Sequence, residues 1–328
     1  MVKFILRRLL LMIPTLFILS IVCFLIIQAP PGDFVDSYVA RLRAQGEFVE
    51  EERIVALRAQ YSLDDPMVMR YFRWVSGVVR GDFGVSMNYN QAVTEIILDR
   101  LPYSMLITFL SLCIVYIIGI PVGMLSAVKQ YSIWDYIATT FGFIGLGVPG
   151  FLLALLMLWI LYSLTGNAAI GLFSMEYLGA SWSWGKFLDL LKHLWLPAFI
   201  VAFTGTASLI RTMRANLLDE LQKPYVMVAR AKGMKKIRML FKYPFRIAVN
   251  PIVSMIGWTL PRLVTGEMLV SLVLGLPTLA PLFLESLRME DMYLAGGIVF
   301  ILTLLTLVGT LISDILLAAI DVRVRDVT

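Results

Sequence analysis

A single histidine, His193, occurs in this chain, alongside two cysteines, Cys23 and Cys113. One imidazole supplies neither a multi-histidine metal site nor a credible serine–histidine–aspartate or cysteine–histidine constellation. His193 stands at the start of an apolar run, where an interfacial polar residue is the plain reading. Both cysteines sit inside apolar runs without metal-ligand spacing and read as packing residues. No Gly-rich loop ending in Lys-Ser or Lys-Thr is present, so the chain is not expected to hydrolyse ATP itself. What remains is charge placed where it is costly. Arg262, Glu267 and Asp314 lie within or beside long apolar runs, where ionisable groups line pathways or pair across helices. Arg262 and Glu267 are candidates for a translocation pathway, and Asp314 for a pair across helices. Snorkelling or interhelical hydrogen bonding is the plainer alternative for all three.

The most patterned polar stretch is the loop Arg211 to Arg246. Ten basic residues against Asp219 and Glu220 give it a net charge of +8, more than the whole chain's +5. Short membrane loops dense in Lys and Arg stay in the cytoplasm, so this loop orients the chain. Within it, Tyr225 to Gly233 predicts a short helix of about 14 Å, at roughly 1.5 Å per residue. Pro224 suits the first helical position, and Gly233 suits the left-handed residue that closes a helix. A second basic stretch, Met234 to Lys242, ends before Pro244. Two short helices joined at a glycine suit docking to a soluble partner, although a charge cluster can set topology without any partner.

The elements that must position these residues are membrane helices. Hydrophobic residues make up 59% of the chain, charged residues 16%, and the mean hydropathy is +0.83. Runs of about 20 apolar residues are spanning candidates. The pI of about 9.2 is explained by basic membrane loops and needs no nucleic acid. Lys3, Arg7 and Arg8 precede the first run, Leu9 to Ala29. That run is too long for a signal peptide and lacks a cleavage site, so it is expected to stay as a helix with its N-terminus cytoplasmic. Residues 30–100 carry eleven acids, eight arginines and no lysine, the composition of a long extracytoplasmic insertion. Ile54, Leu57 and Tyr61 predict an amphipathic helix over Glu47 to Tyr61, and Met67 to Val79 predicts a second. Tyr71 and Trp74 in the second suit the bilayer interface. Arg80 to Ser86 reads as a compact turn.

Further spans are expected at Leu101 to Ala127, Tyr136 to Leu164 with a kink at Pro149-Gly150, His193 to Ile210, Ile247 to Gly266, and Tyr293 to Ile320. Lys129 and Asp135 mark a cytoplasmic turn. Thr165 to Lys192 reads as an outer loop. Met268 to Leu284, broken by Gly275-Leu276-Pro277 and Pro281, reads as a re-entrant piece lining the outer end of a pathway, since irregular backbone at that depth must be covered or face water.

Several of these residues carry a resemblance. Ala229-Arg230-Ala231-Lys232-Gly233, preceded by Tyr225 and followed by the basic stretch, resembles the coupling loop of ABC-transporter permeases of the dipeptide/oligopeptide branch. Pro31-Gly32-Asp33, the Gly-Asp-Phe-Gly-x-Ser turn at 81–86 with Arg100-Leu101-Pro102, and the ending Asp321 to Arg325 match the same branch, so the resemblance covers nearly the whole length. Two departures stand out. The family usually has glutamate where this chain has Ser271, and Pro-Gly where it has Pro277-Thr278.

The resemblance implies an all-α integral membrane protein with the type I ABC importer permease fold, about six transmembrane helices and both termini cytoplasmic. Its parts would be 1–29 (first helix), 30–100 (extracytoplasmic insertion) and 101–328 (permease core, with the coupling loop at 211–246). It implies ATPase coupling through Tyr225, Ala229, Arg230, Ala231, Lys232 and Gly233. Ser271 and Pro277 join Arg262 and Glu267 as candidates for the pathway, and Asp82, Phe83 and Gly84 are candidates for contact with a substrate-binding protein. Partners would be a second related permease, two cytoplasmic ATPase subunits holding ATP and Mg, the extracytoplasmic binding protein and membrane lipid, with no nucleic acid. No cofactor or metal is expected on this chain. Its place would be the plasma (inner) membrane of a bacterium or archaeon. The solute would be a peptide or a similar small molecule, such as an oligosaccharide. An ion-coupled secondary carrier is the alternative, but few midplane acids and the patterned loop argue against it. A membrane scaffold is a more distant one.

Overall fold

The computed structural model describes residues 2–28, 34–44, 46, 48–60, 65–86, 88–166 and 170–320. Pro31-Gly32-Asp33 and Asp321 to Arg325 lie outside them. The chain is almost wholly helical. The elements are α1 (Val2–Gln28), α2 (Phe34–Ala44), α3 (Glu51–Gln60), α4 (Met67–Val79), β1 (Val85–Ser86), β2 (Gln91–Ala92), α5 (Val93–Val128), α6 (Ile133–Gly147) and α7 (Gly150–Thr165). They continue with α8 (Trp184–Leu221), α9 (Pro224–Ala231), α10 (Lys236–Lys242), α11 (Pro244–Ser254), α12 (Ile256–Leu274), α13 (Leu279–Arg288) and α14 (Met292–Ile320). Among the described residues four helices are long and apolar enough to cross a membrane, or six if each of two bent pairs is one span. That agrees with the expected number.

The chain divides into two compact units. The first comprises Met1–Arg8, Tyr103–Ala280 and Val308–Thr328. Its centre is α8, which packs against α6, α7, α11 and α12 and buries Leu194, Ile200, Ala202, Leu209, Met213 and Leu217. Small residues allow the close approach. A Cβ added at Gly145 would lie 2.5 Å from the Ala207 Cβ, whereas one at Gly142 would meet nothing nearer than 3.7 Å. Gly145→Ala is therefore expected to cost about 1–3 kcal/mol by overpacking. Gly142→Ala should be neutral or mildly stabilising. Thermal unfolding of the two variants in detergent checks the contrast.

Three sequence expectations change here. The span over Tyr136 to Leu164 is a full break rather than a kink: α6 and α7 meet at 107°. Val148 is extended at φ −94°, ψ 118°, because the ring of Pro149 disfavours helix in the residue before it. The outer loop is shorter than expected, since α8 begins at Trp184 and not at His193. Ser183 caps that helix by accepting from the Lys186 N–H at 3.2 Å. Its polar first turns are buried yet satisfied. Asp189 accepts from Ser174 N and Oγ, both at 2.7 Å, and the Lys186 ammonium lies over the Phe173 and Trp182 rings. Finally, Met268 to Leu274 is regular helix within α12, and only Gly275 to Thr278 is irregular, with Gly275 left-handed at φ 59°.

The second unit comprises Leu9–Pro102 and Pro281–Leu307. The helix predicted over Met67 to Val79 is present with those bounds as α4. Its Tyr71 and Trp74 turn inward instead of standing at an interface. Tyr71 meets Phe24 at 5.5 Å and hydrogen-bonds Ser20 Oγ at 2.8 Å, while Trp74 meets Phe300 at 6.1 Å. The helix expected from Glu47 begins at Glu51, and Phe34–Ala44 is an additional helix whose Val35 and Val39 share a small core with Val49. The side chains of Leu57 and Tyr61 lie outside the described ones.

Candidate functional site

The basic loop folds into a hook. Helix α8 continues to Leu221, so the loop's first eleven residues, Arg211 to Leu221, are rigid helix. After Gln222 and Lys223, Pro224 opens α9 at its first position. Helix α9 closes as the sequence predicts. Gly233 is left-handed at φ 73°, its N–H donates to Arg230 O at 2.9 Å, and Met234 N–H donates to Ala229 O at 3.2 Å. That pair of bonds satisfies carbonyls that would otherwise be orphaned at the helix end.

Spacing decides which face of α9 is held and which is offered. Val226 and Ala229, three apart, are buried with Met239 from α10, and Tyr225 and Tyr243 pack beside them. The Tyr225 hydroxyl donates to the Glu220 carboxylate at the end of α8. Burial and the Glu220 charge push the Tyr225 phenol upward, so it remains a donor. Arg230, Ala231, Lys232 and Gly233 are exposed, and so are Met227 (59%), Val228 (54%) and Ile237 (73%). Of the six expected docking residues, Ala229 and Tyr225 therefore hold the hook together, and the other four face outward. Met227, Val228 and Ile237 were not expected. The signal was available: once Val226 and Ala229 supply the buried face, the intervening apolar residues of a two-turn helix must point away.

A buried ion pair braces the rod that carries the hook. Asp135, 3% exposed, accepts Arg214 Nε–H at 2.7 Å and Nη2–H at 2.8 Å, a two-pronged bond from α8. The same carboxylate accepts the Ser126 hydroxyl from the end of α5 and Tyr131 N–H at 2.9 Å. Asp135 thus ties the α5–α6 turn to α8 near its end. Asp314 pairs with Arg8 across helices at 3.2 Å.

The pathway candidates divide. Glu267 (2% exposed) and Ser271 (0%) are buried and bonded to each other, with the Ser271 hydroxyl donating, so neither lines open space. Pro277 is half-buried in the break after α12, where Leu279 N–H donates to Ser104 Oγ at 3.0 Å. Only Arg262 faces a cavity, about 280 Å³ in volume, among α5, α6, α7, α8 and α12. The turn residues in the second unit divide likewise. Asp82 is exposed and accepts from Gly84 N–H at 2.9 Å. Phe83 is buried against Phe300, and Gly84 sits beside the Tyr293 ring at φ 91°. The adjoining hairpin is pinned by Asp291, which accepts Ser86 Oγ–H at 2.5 Å and Asn88 N–H at 3.2 Å while capping α14 through Leu294 N–H. Among the described residues no group of His, Cys, Asp and Glu is placed to hold a metal ion.

The sequence matches the family profile described as binding-protein-dependent transport system inner membrane component over residues 119–326, and the corresponding N-terminal profile over residues 1–108. It is 35% identical over 330 residues to the oligopeptide transport system permease protein AppB of Bacillus subtilis, covering 99% of this chain and 100% of that one. It is 30% identical to the dipeptide transport system permease protein DppB of Escherichia coli, covering 99% of each. It is also 30% identical to the oligopeptide transport system permease protein OppB of Salmonella typhimurium, covering 99% and 100%. With apolar helices of spanning length and these matches along its whole length, the chain belongs to the inner-membrane permease components of binding-protein-dependent transport systems.

Proposed function

We infer that this chain is one transmembrane subunit of an ATP-driven importer for peptides or similar small solutes, and that it takes its motion from a separate ATPase through the α9 hook. The observation that carries this reading is a short helix pinned from behind by Tyr225, Val226 and Ala229 while offering Met227, Val228, Arg230, Lys232 and Ile237 to a partner. Apolar side chains left exposed beside cations suit a protein groove better than bulk water. In this reading the basic loop and both termini face the cytoplasm, residues 30–100 face outward, and 101–328 form the core. Two ATPase subunits, holding ATP and Mg, close on nucleotide binding. Each grips one coupling hook. The hook moves as a rigid piece, α8 and α11 follow, and the bundle switches between two packed arrangements. A second related permease completes the pathway, and an extracytoplasmic binding protein delivers the solute.

Co-purification from a strain expressing the whole set tests this. Arg230→Glu with Lys232→Glu is expected to cut recovery of the ATPase by about tenfold, the size of a loss near 1.4 kcal/mol. Wild-type complex in proteoliposomes should hydrolyse ATP faster when loaded binding protein is added. Unchanged ATPase stoichiometry in the double variant defeats the docking role. Uptake driven by an ion gradient without ATP favours the carrier alternative.

A further inference from the structure

The cavity beside Arg262 has a chemically lopsided lining. Arg262 lies twelve residues before the end of α12 at Leu274, about 18 Å of helix at roughly 1.5 Å per residue. It is exposed and opens the apolar stretch that runs to Leu274. Among the described residues it is the only charged one facing the cavity; around it stand the hydroxyls of Thr204, Ser208 and Thr259 and apolar side chains such as Phe151. Among the described residues it has no ion-pair partner, and the nearest acid along α12, Glu267, is occupied with Ser271. Contrast Arg214, whose charge is matched by two bonds to Asp135. An arginine that lines a cavity of a spanning bundle with no counter-ion beside it offers its charge to a ligand.

The break between α6 and α7 opens onto the same space. Leu146, Gly150 and Phe151 line it, so the first residues of α7 contribute the positive end of a helix dipole. The volume, about 280 Å³, is near the lower end for small-molecule sites, roughly 300 Å³. It has room for an end group and not for a whole oligopeptide.

The geometry points to a transit site for a carboxylate: Arg262 receives the C-terminal carboxyl of the passing solute, flanked by Thr204, Ser208 and Thr259. This rests on the importer reading. It assigns this chain to solutes that bear a carboxylate and gives the pathway a selectivity step of its own, separate from the binding protein.

The test uses the complete importer in proteoliposomes, with dialanine or dialanine amide supplied already loaded on the binding protein and the loading checked by mass spectrometry. Wild type is expected to import the free acid faster than the amide. Arg262→Gln should lower that preference about 10- to 100-fold, the worth of one bond to a charged group, and Arg262→Lys should restore most of it. If the amide does not load, the free-acid rate decides, with Arg262→Gln as far below Arg262→Lys. A wild type without acid preference overturns the site, as does a preference unchanged in Arg262→Gln. An equal fall for both peptides overturns it too and indicates a structural role or a bound lipid phosphate. If binding protein fails to stimulate ATP hydrolysis by wild type, the importer reading itself is what fails.

Discussion

Asp135→Ala is expected to destabilise the first unit by about 3 kcal/mol or more, the range found when one partner of a buried ion pair is removed. The loss has two parts. Arg214 keeps its charge in a partly buried position with no carboxylate to meet it. The Ser126 hydroxyl and Tyr131 N–H lose their acceptor as well. Arg214→Ala should cost about as much for the opposite reason, leaving a carboxylate buried and short of its strongest partner. Ser126→Ala removes one neutral donor and should cost about 1 kcal/mol. Replacing both charges at once, as Asp135→Leu with Arg214→Met, should recover much of the stability, because neither charge is then stranded. Thermal unfolding in detergent gives the order. Singles no less stable than the double replacement would show that the pair is not a brace.

Gly233→Pro is expected to abolish uptake while leaving insertion in the membrane intact. The residue sits at φ 73°, and proline is confined near −65°. Proline also removes the N–H that donates to Arg230 O. Gly233→Ala keeps the N–H and meets no clash, since nothing lies within 4 Å of an added Cβ, so it pays only for the left-handed backbone. That is about 1–2 kcal/mol, a five- to thirtyfold loss in the population of the hook. Uptake should therefore rank wild type, then alanine, then proline, with membrane content equal across the three. Wild-type uptake by the proline variant would separate the hook's shape from transport altogether.

How much of this was legible depended on whether a residue's role is local. The hook was readable because its opening proline and its closing glycine lie within ten residues of each other, while the buried face of Val226 and Ala229 was missed. Helix α4 was readable for the same reason. Asp135 was not: it read as the mark of a turn because its partner lies 79 residues away, and no local pattern announces such a pair. Helix α8 was cut short because Lys186 and Asp189 look like loop residues until Ala180, Ser174 and the Phe173 ring are seen to satisfy them. Phe83 was read by motif as a surface for a partner, yet its ring is spent on packing inside the second unit. Glu267 and Ser271, four apart on one helix, could have been read as a bonded pair from spacing alone.

The unbroken run of α8 has a mechanical corollary. Its 38 residues extend about 57 Å, nearly twice a hydrocarbon layer of about 30 Å. Thr204, at the Arg262 cavity, is seventeen residues from Leu221, where the hook begins, a lever arm of about 25 Å. Pivoting this shaft by about ten degrees at the cavity would sweep its far end through about 4 Å, by the same rise per residue. A small change of tilt at the cavity and a sizeable stroke at the hook are then one displacement, measured at two ends of a single rod.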